Sequence, residues 1–106
     1  MKITWTEFAV QNLNDIFEYH KEVAGKNVAS KIKKDIFYTS RQLKQHPESG
    51  QIEPYLAELN EGYRYLISGN YKLTYKIIGD EALITDVFDT RQNPVTINSP
   101  KRRQKK

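Results

Sequence analysis

Four basic side chains, Arg64, Lys72, Lys76 and Arg91, are the groups of this chain best suited to act on an anionic partner. They fall within residues 62–94, GYRYLISGNYKLTYKIIGDEALITDVFDTRQNP, where apolar and polar residues alternate between two turn signals, Gly69-Asn70 and Gly79-Asp80. Metal-free RNA cleavage needs a base for the 2′-hydroxyl, positive charge at the phosphate and an acid for the leaving oxygen. Basic groups gathered on one surface supply the charge; without a proton-transfer partner the same surface serves only for docking. His20 lies on the apolar stripe of a helix and His46 opens a loop, so the two histidines form no metal pair. There is no phosphate-cradling glycine loop and no paired-carboxylate site, and neither a metal nor a cofactor is expected.

Whether the four cations share a face depends on one turn. Tyr63, Tyr65 and Ile67 alternate on one side of a strand, and Tyr71, Leu73, Tyr75 and Ile77 on one side of the next. A two-residue Gly69-Asn70 turn sets Ile67 opposite Lys72 and Arg64 opposite Tyr75. A three-residue Ser68-Gly69-Asn70 loop, with Asn70 in the left-handed region, sets Ile67 opposite Tyr71, Tyr65 opposite Leu73 and Tyr63 opposite Tyr75. A slip of one residue reverses every side chain, so burial of like with like predicts the three-residue loop. Arg64, Leu66, Lys72, Thr74 and Lys76 then form a cationic face, joined by Leu83, Thr85, Val87, Asp89 and Arg91. The second hairpin, turning at Gly79-Asp80, pairs Ile78 with Glu81 and adds Ala82, Ile84 and Phe88 to the apolar face; Asp86 falls there too.

The elements that position this hairpin are legible upstream. Residues 2–5 read as a short strand, and Thr6 caps a helix whose stripe runs Ala9, Leu13, Ile16, His20, Val23, with Phe17 beside it. After a break at Gly25, a second stripe runs Val28, Ala29, Ile32, Ile36, Leu43, with Phe37 beside it. So short a link makes an antiparallel helix hairpin. His46-Pro47 closes the second helix, residues 48–54 form a loop, and residues 55–59 are read as a further short strand. The last strand is apolar on both sides, which predicts a central place in its sheet. The fold class is α+β in two layers, β-α-α-β-β-β(-β), with the helix hairpin on one face of a mainly antiparallel sheet.

Composition narrows the setting. The chain has 106 residues, enough for one core, and no cysteine. No apolar run spans a bilayer, and MKITWTEF lacks the core of a signal peptide, which predicts a cytoplasmic protein without membrane association. The net charge of +4 belongs to the end of the chain: Lys101, Arg102, Arg103, Lys105 and Lys106 are five of the 17 basic residues, leaving 12 basic against 13 acidic before them. Residues 1–94 are therefore read as the domain and 95–106 as a basic tail, disordered from Ser99 onward.

Trp5-Thr6 before the first helix, Leu43 with Pro47 and Gly50, the hairpin YRYLISGNYKLTYKI and the closing VFDTRQNP together resemble the RelE/ParE superfamily of bacterial type II toxins, from Ile3 to about Pro94. The resemblance implies the RelE-like fold and a small cytosolic toxin that inhibits growth and stabilises plasmids. It also implies a cognate antitoxin that wraps an extended and helical segment over the toxin in a hetero-oligomer. Members that resemble RelE cleave mRNA on the ribosome with a Lys/Arg cluster; members that resemble ParE inhibit DNA gyrase by binding.

Residue by residue, Arg64, Lys72 and Arg91 stand at basic positions of the ribonuclease pattern and are its catalytic candidates here. The position two after Arg64 is Leu66, Asp89 stands where some ribonuclease members have histidine, and no tyrosine follows Tyr75. The missing proton-transfer residue, with the Arg91-Gln92-Asn93-Pro94 ending, favours a gyrase inhibitor with Arg64, Lys72, Lys76 and Arg91 as target-binding residues. The alternatives are a metal-independent ribonuclease acting with ribosome and mRNA, and a non-toxic relative that only binds its antitoxin.

Overall fold

The computed structural model describes residues 1–103. Strand β1 (Lys2–Trp5) leads into α1 (Glu7–Ala24), where the Thr6 side chain accepts the Ala9 N–H and Glu7 stands in the first turn. Gly25 alone links α1 to α2 (Lys26–Arg41); its φ of +94° turns the chain between two helix axes at a cost few other residues could meet. A 3₁₀ turn, Gln42–Lys44, carries Leu43 into the core. Then follow β2 (Gln51–Ile52), a 3₁₀ segment Pro54–Leu59, β3 (Arg64–Ser68), β4 (Tyr71–Ile78) and β5 (Glu81–Asp89). Strand β2 lies inside the stretch 48–54 expected as a loop and pairs with β3. The residues 55–59 expected as a strand are 3₁₀ because Pro54 withholds a ladder donor, and the buried Glu53 carboxylate caps the turn through the Tyr55 N–H.

The sheet order is β1-β5-β4-β3-β2, with β1 parallel to β5 and every other pair antiparallel. As its two-sided apolar pattern predicts, β5 lies inside the sheet, between β1 and β4.

The first hairpin turns through two residues, not three. Ser68 pairs with Tyr71, Leu66 with Leu73, Ile67 with Lys72 and Arg64 with Tyr75. Gly69, at φ +58°, takes the positive φ that a tight turn with glycine first requires, and Asn70 does not. The two alternating sets were rightly grouped within each strand but belong to opposite faces. The reason is that both faces of the sheet are covered. Against the helices lie Leu66, Tyr71, Leu73, Tyr75, Ala82, Ile84 and Val87, with Ala9, Leu13, Ile36 and Leu43. On the other side Tyr63 and Phe88 pack against Leu56 and Ile97 from the two 3₁₀ segments, Pro54–Leu59 and Pro94–Asn98. Leu66 and Val87, expected on the cationic face, are core residues, and Phe88 belongs to the second cluster.

A bulge explains β5. Thr74 pairs with Asp86 but Tyr75 with Ile84, which leaves Thr85 as the extra residue, its hydroxyl 3.1 Å from that of Thr74. The bulge resets the alternation. Ala82 and Ile84 point to the helices before it, Val87 after it, and Asp86 leaves the apolar face where strict alternation would have stranded it. Beyond Pro94–Asn98 the chain adds one helical turn, α3 (Pro100–Arg103), so the segment expected to lose order at Ser99 starts as structure. The rest of that expectation, on residues 104–106, lies outside the described residues.

Candidate functional site: a cleft between the first helix and the end of the sheet

The four cations do not form one surface. Arg64, facing the helical side with Tyr75, donates from Nη1 to the carbonyl oxygens of Gly50 at 2.8 Å and Glu48 at 3.4 Å. It braces the loop before β2, the same loop held by Tyr75, whose hydroxyl donates to the Pro47 carbonyl at 2.7 Å and accepts the Gly50 N–H at 3.0 Å. Lys72 is on the opposite face. Its Nζ is 2.7 Å from Oε1 of the fully buried Glu53 and 4.3 Å from the centroid of Tyr65. Lys76 lies on that face too, paired with Glu61 and over the ring of Tyr63. Burial draws the Lys76 pKa down, but the Glu61 carboxylate and Tyr63 outweigh it and the net shift is upward. The expected single cationic face is thus corrected: the two-residue turn sends Arg64 and Lys72 to opposite sides, and each is tied to groups of its own chain.

Arg91 differs. It follows the end of β5, more than half exposed, and forms a two-pronged pair with Asp89, Nε to Oδ1 at 3.0 Å and Nη2 to Oδ2 at 2.8 Å. The guanidinium holds the Asp89 carboxyl below its ordinary value through these hydrogen bonds, and the carboxylate in turn raises Arg91. Arg91 stands at the mouth of a cleft of about 450 Å³ between α1 and β5, with Asp15, Tyr19, Tyr71, Asp89 and Gln92 on its walls. Tyr71 Oη lies 2.8 Å from His20 Nε2, and burial, then the nearby Asp89 charge, pushes the Tyr71 phenol pKa up. A second hollow of about 840 Å³ adjoins the first; Arg102 lines both.

Of the groups around this cleft, Arg91 is the one whose role as a contact residue is legible in the sequence. His20 was visible as a polar member of an apolar stripe, which is the signal that it meets a polar partner inside. Asp86 was visible as a carboxylate stranded in an apolar alternation. Asn12, Tyr19 and Arg102 carried no signal, because only the packing of α1 and α3 against the end of β5 brings them together. Among the described residues no group of three or more His, Asp or Glu side chains is placed to hold a metal ion.

The model of a family described as "ParE toxin of type II toxin-antitoxin system, parDE" matches residues 3–94. In three dimensions the chain is similar to one in a solved structure of the chromosomal ParDE TA system from P. aeruginosa. That likeness has a TM-score of 0.72 at 23% identity and covers 84% of this chain and 95% of the other. At that identity it speaks for the fold. No curated protein matches the chain in sequence.

Proposed function

Because the chain belongs to the ParE toxin family of type II toxin–antitoxin systems, we propose that it is the toxin of such a pair and acts by binding a protein, DNA gyrase. The observation that carries this reading is the separation of the basic side chains. Arg64 and Lys72 stand on opposite faces of the sheet, one bracing a loop and the other neutralising buried Glu53. RNA cleavage asks for such groups around one phosphate with an acid and a base in reach. A protein target asks for less: an exposed anchor of arginine and tyrosine beside apolar area. Arg91, Tyr19 and Gln92 at the cleft mouth meet that requirement, and of the four proposed target-binding residues Arg91 is the one we retain there.

The antitoxin would dock on the helix hairpin. Half-exposed Phe37 divides two shallow grooves of about 400 and 370 Å³, one floored by Leu13 and Phe17, the other by Ile3 and Trp5. Lys33, Lys34, Arg41 and Lys44 rim them. Apolar floors with cationic rims complement an acidic amphipathic segment.

One observation favours the ribonuclease reading: His20 and Tyr71, hydrogen-bonded to each other, lie close to Arg91. Expression without the antitoxin separates the two. Gyrase inhibition gives filamentous cells, DNA-damage signalling and gyrase-linked breaks, and endonuclease action stops translation and leaves mRNAs cut at codons. Normal growth with folded protein present would remove both activities and leave an antitoxin-binding module. Arg91→Ala is expected to weaken toxicity while leaving the melting temperature nearly unchanged, since its side chain is on the surface; undiminished toxicity would take Arg91 out of the contact.

A further inference from the structure

Asp86 is a buried carboxylate whose charge is met by a residue near the end of the chain. Its side chain is 7% exposed. Arg102 approaches it with two prongs, Nε to Oδ2 at 2.7 Å and Nη2 to Oδ1 at 2.7 Å, and Asn12 Nδ2 donates to Oδ1 at 2.8 Å. The guanidinium carbon lies 5.3 Å from the Phe8 centroid and 4.9 Å from that of Phe88, and Nη2 also reaches the Val87 carbonyl at 3.4 Å. A planar cation in contact with two aromatic rings and forked onto a carboxylate is the arrangement that distinguishes arginine from lysine, whose ammonium is a point charge without a plane.

The occupant is weakly anchored. Arg102 sits on a single helical turn, too short to persist by itself, and outside residues 3–94, the part of the chain that matches the family. Ile97 in the second apolar cluster and the Asn98–Glu58 hydrogen bond also tie this strap to the domain. The pocket walls, by contrast, come from α1 and the central strand β5. Arg102 also forms part of the wall of both hollows, the cleft of about 450 Å³ and its neighbour of about 840 Å³. An empty pocket leaves the Asp86 charge uncompensated, which is strongly unfavourable, so exchange of one guanidinium for another is favoured over simple release.

We propose that Phe8, Asn12, Asp86 and Phe88 form an arginine-recognition site, occupied within the chain by Arg102, and that an arginine side chain on a segment of a partner protein competes for it. A tethered ligand acts at an effective concentration on the order of millimolar. A free arginine therefore competes poorly with Arg102, whereas one carried by a docked partner competes well.

The test uses the full chain and two probes, N-acetyl-arginine amide and N-acetyl-lysine amide, titrated while the amide and side-chain NMR signals of Asn12, Asp86 and Val87 are followed. Wild-type protein is expected to show negligible response to either. The Arg102→Ala variant is expected to bind the arginine probe at least about tenfold more tightly than the lysine probe. Adding Asp86→Asn should abolish that binding. Should Arg102→Ala not fold alone, recovery of the folded spectrum with the arginine probe but not the lysine probe carries the same meaning. Equal response to both probes, or none in a folded or unfolded Arg102→Ala protein, would reduce Arg102 to a structural clamp and overturn the proposal. None of these readouts depends on toxicity or on gyrase.

Discussion

Gly50 and Tyr75 show how a few atoms hold the loop that leads into the sheet. The Tyr75 ring is fully buried, and its hydroxyl serves the Pro47 carbonyl and the Gly50 N–H at once. A Cβ on Gly50 would lie 2.6 Å from that hydroxyl and 2.7 Å from the Tyr65 carbonyl oxygen, so the glycine is required by close approach and not by a positive φ. Gly50→Ala is expected to cost about 1–3 kcal/mol in urea unfolding, as overpacking does; an unchanged midpoint would show that the loop relaxes freely. Titration gives a second residue-scale expectation. Burial raises Tyr71 and Tyr75 above 10.0, and Lys76 is raised above 10.5. Groups raised on folding contribute stability in full below their unfolded values, and that contribution is lost as pH climbs through the folded values. Asp89 is lowered from 3.8 by Arg91, so its contribution is present above that value and lost as pH falls below it. Stability measured by thermal unfolding should therefore be flat between about pH 4 and 10 with respect to these groups. Tyr75→Phe should soften the alkaline decline, and a decline of unaltered slope would contradict the role given to Tyr75.

At the scale of the element, the β3–β4 hairpin carries the lesson that alternation defines faces within a strand but not across a turn. The register now puts Leu66 in the core and leaves Ile67 half exposed. Leu66→Ala should destabilise by about 2–5 kcal/mol and Ile67→Ala by no more than about 0.5 kcal/mol, the surface range. The reverse order in denaturant titrations would restore the three-residue loop. The expectation of three residues came from assuming that one face of the sheet is wet. Two 3₁₀ segments, unrecognised because each is brief and has no periodicity, cover that face and make Tyr63 and Phe88 as buried as their counterparts opposite. Likewise Thr85, the bulge residue, looked like one more polar position in a strand; only the mismatch at Asp86 betrayed it.

Across the whole molecule the sheet is the shared floor of two cores, and three ion pairs hold the second, smaller layer to it. Lys72–Glu53 ties the Pro54–Leu59 segment to β4, Lys76–Glu61 ties the approach to β3, and Arg102–Asp86 ties the end of the chain to β5. Lys72→Met is expected to cost roughly 3 kcal/mol because it leaves Glu53 buried and uncompensated, and pairing it with Glu53→Gln should return much of that loss. Equal stability of single and double variants in urea would mean that water reaches Glu53.

The helix hairpin, the first strand, the run of β3, β4 and β5, the cap at Thr6, the break at Gly25 and the inner place of the last strand were determined by local pattern, because period, cap chemistry and glycine freedom act over a few residues. Strand β2, two residues long inside a stretch read as a loop, was not. The resemblance carried by Trp5-Thr6, the tyrosine hairpin and Arg91-Gln92-Asn93-Pro94 named the family. Tertiary structure alone decided which face each strand shows, since that depends on what covers the sheet from distant parts of the chain. It also decided the site: Arg64 and Lys72 became supports for a loop and a buried carboxylate, and a cleft formed where Tyr19, Tyr71, Arg91 and Arg102 meet, residues as far apart as 83 positions in the sequence.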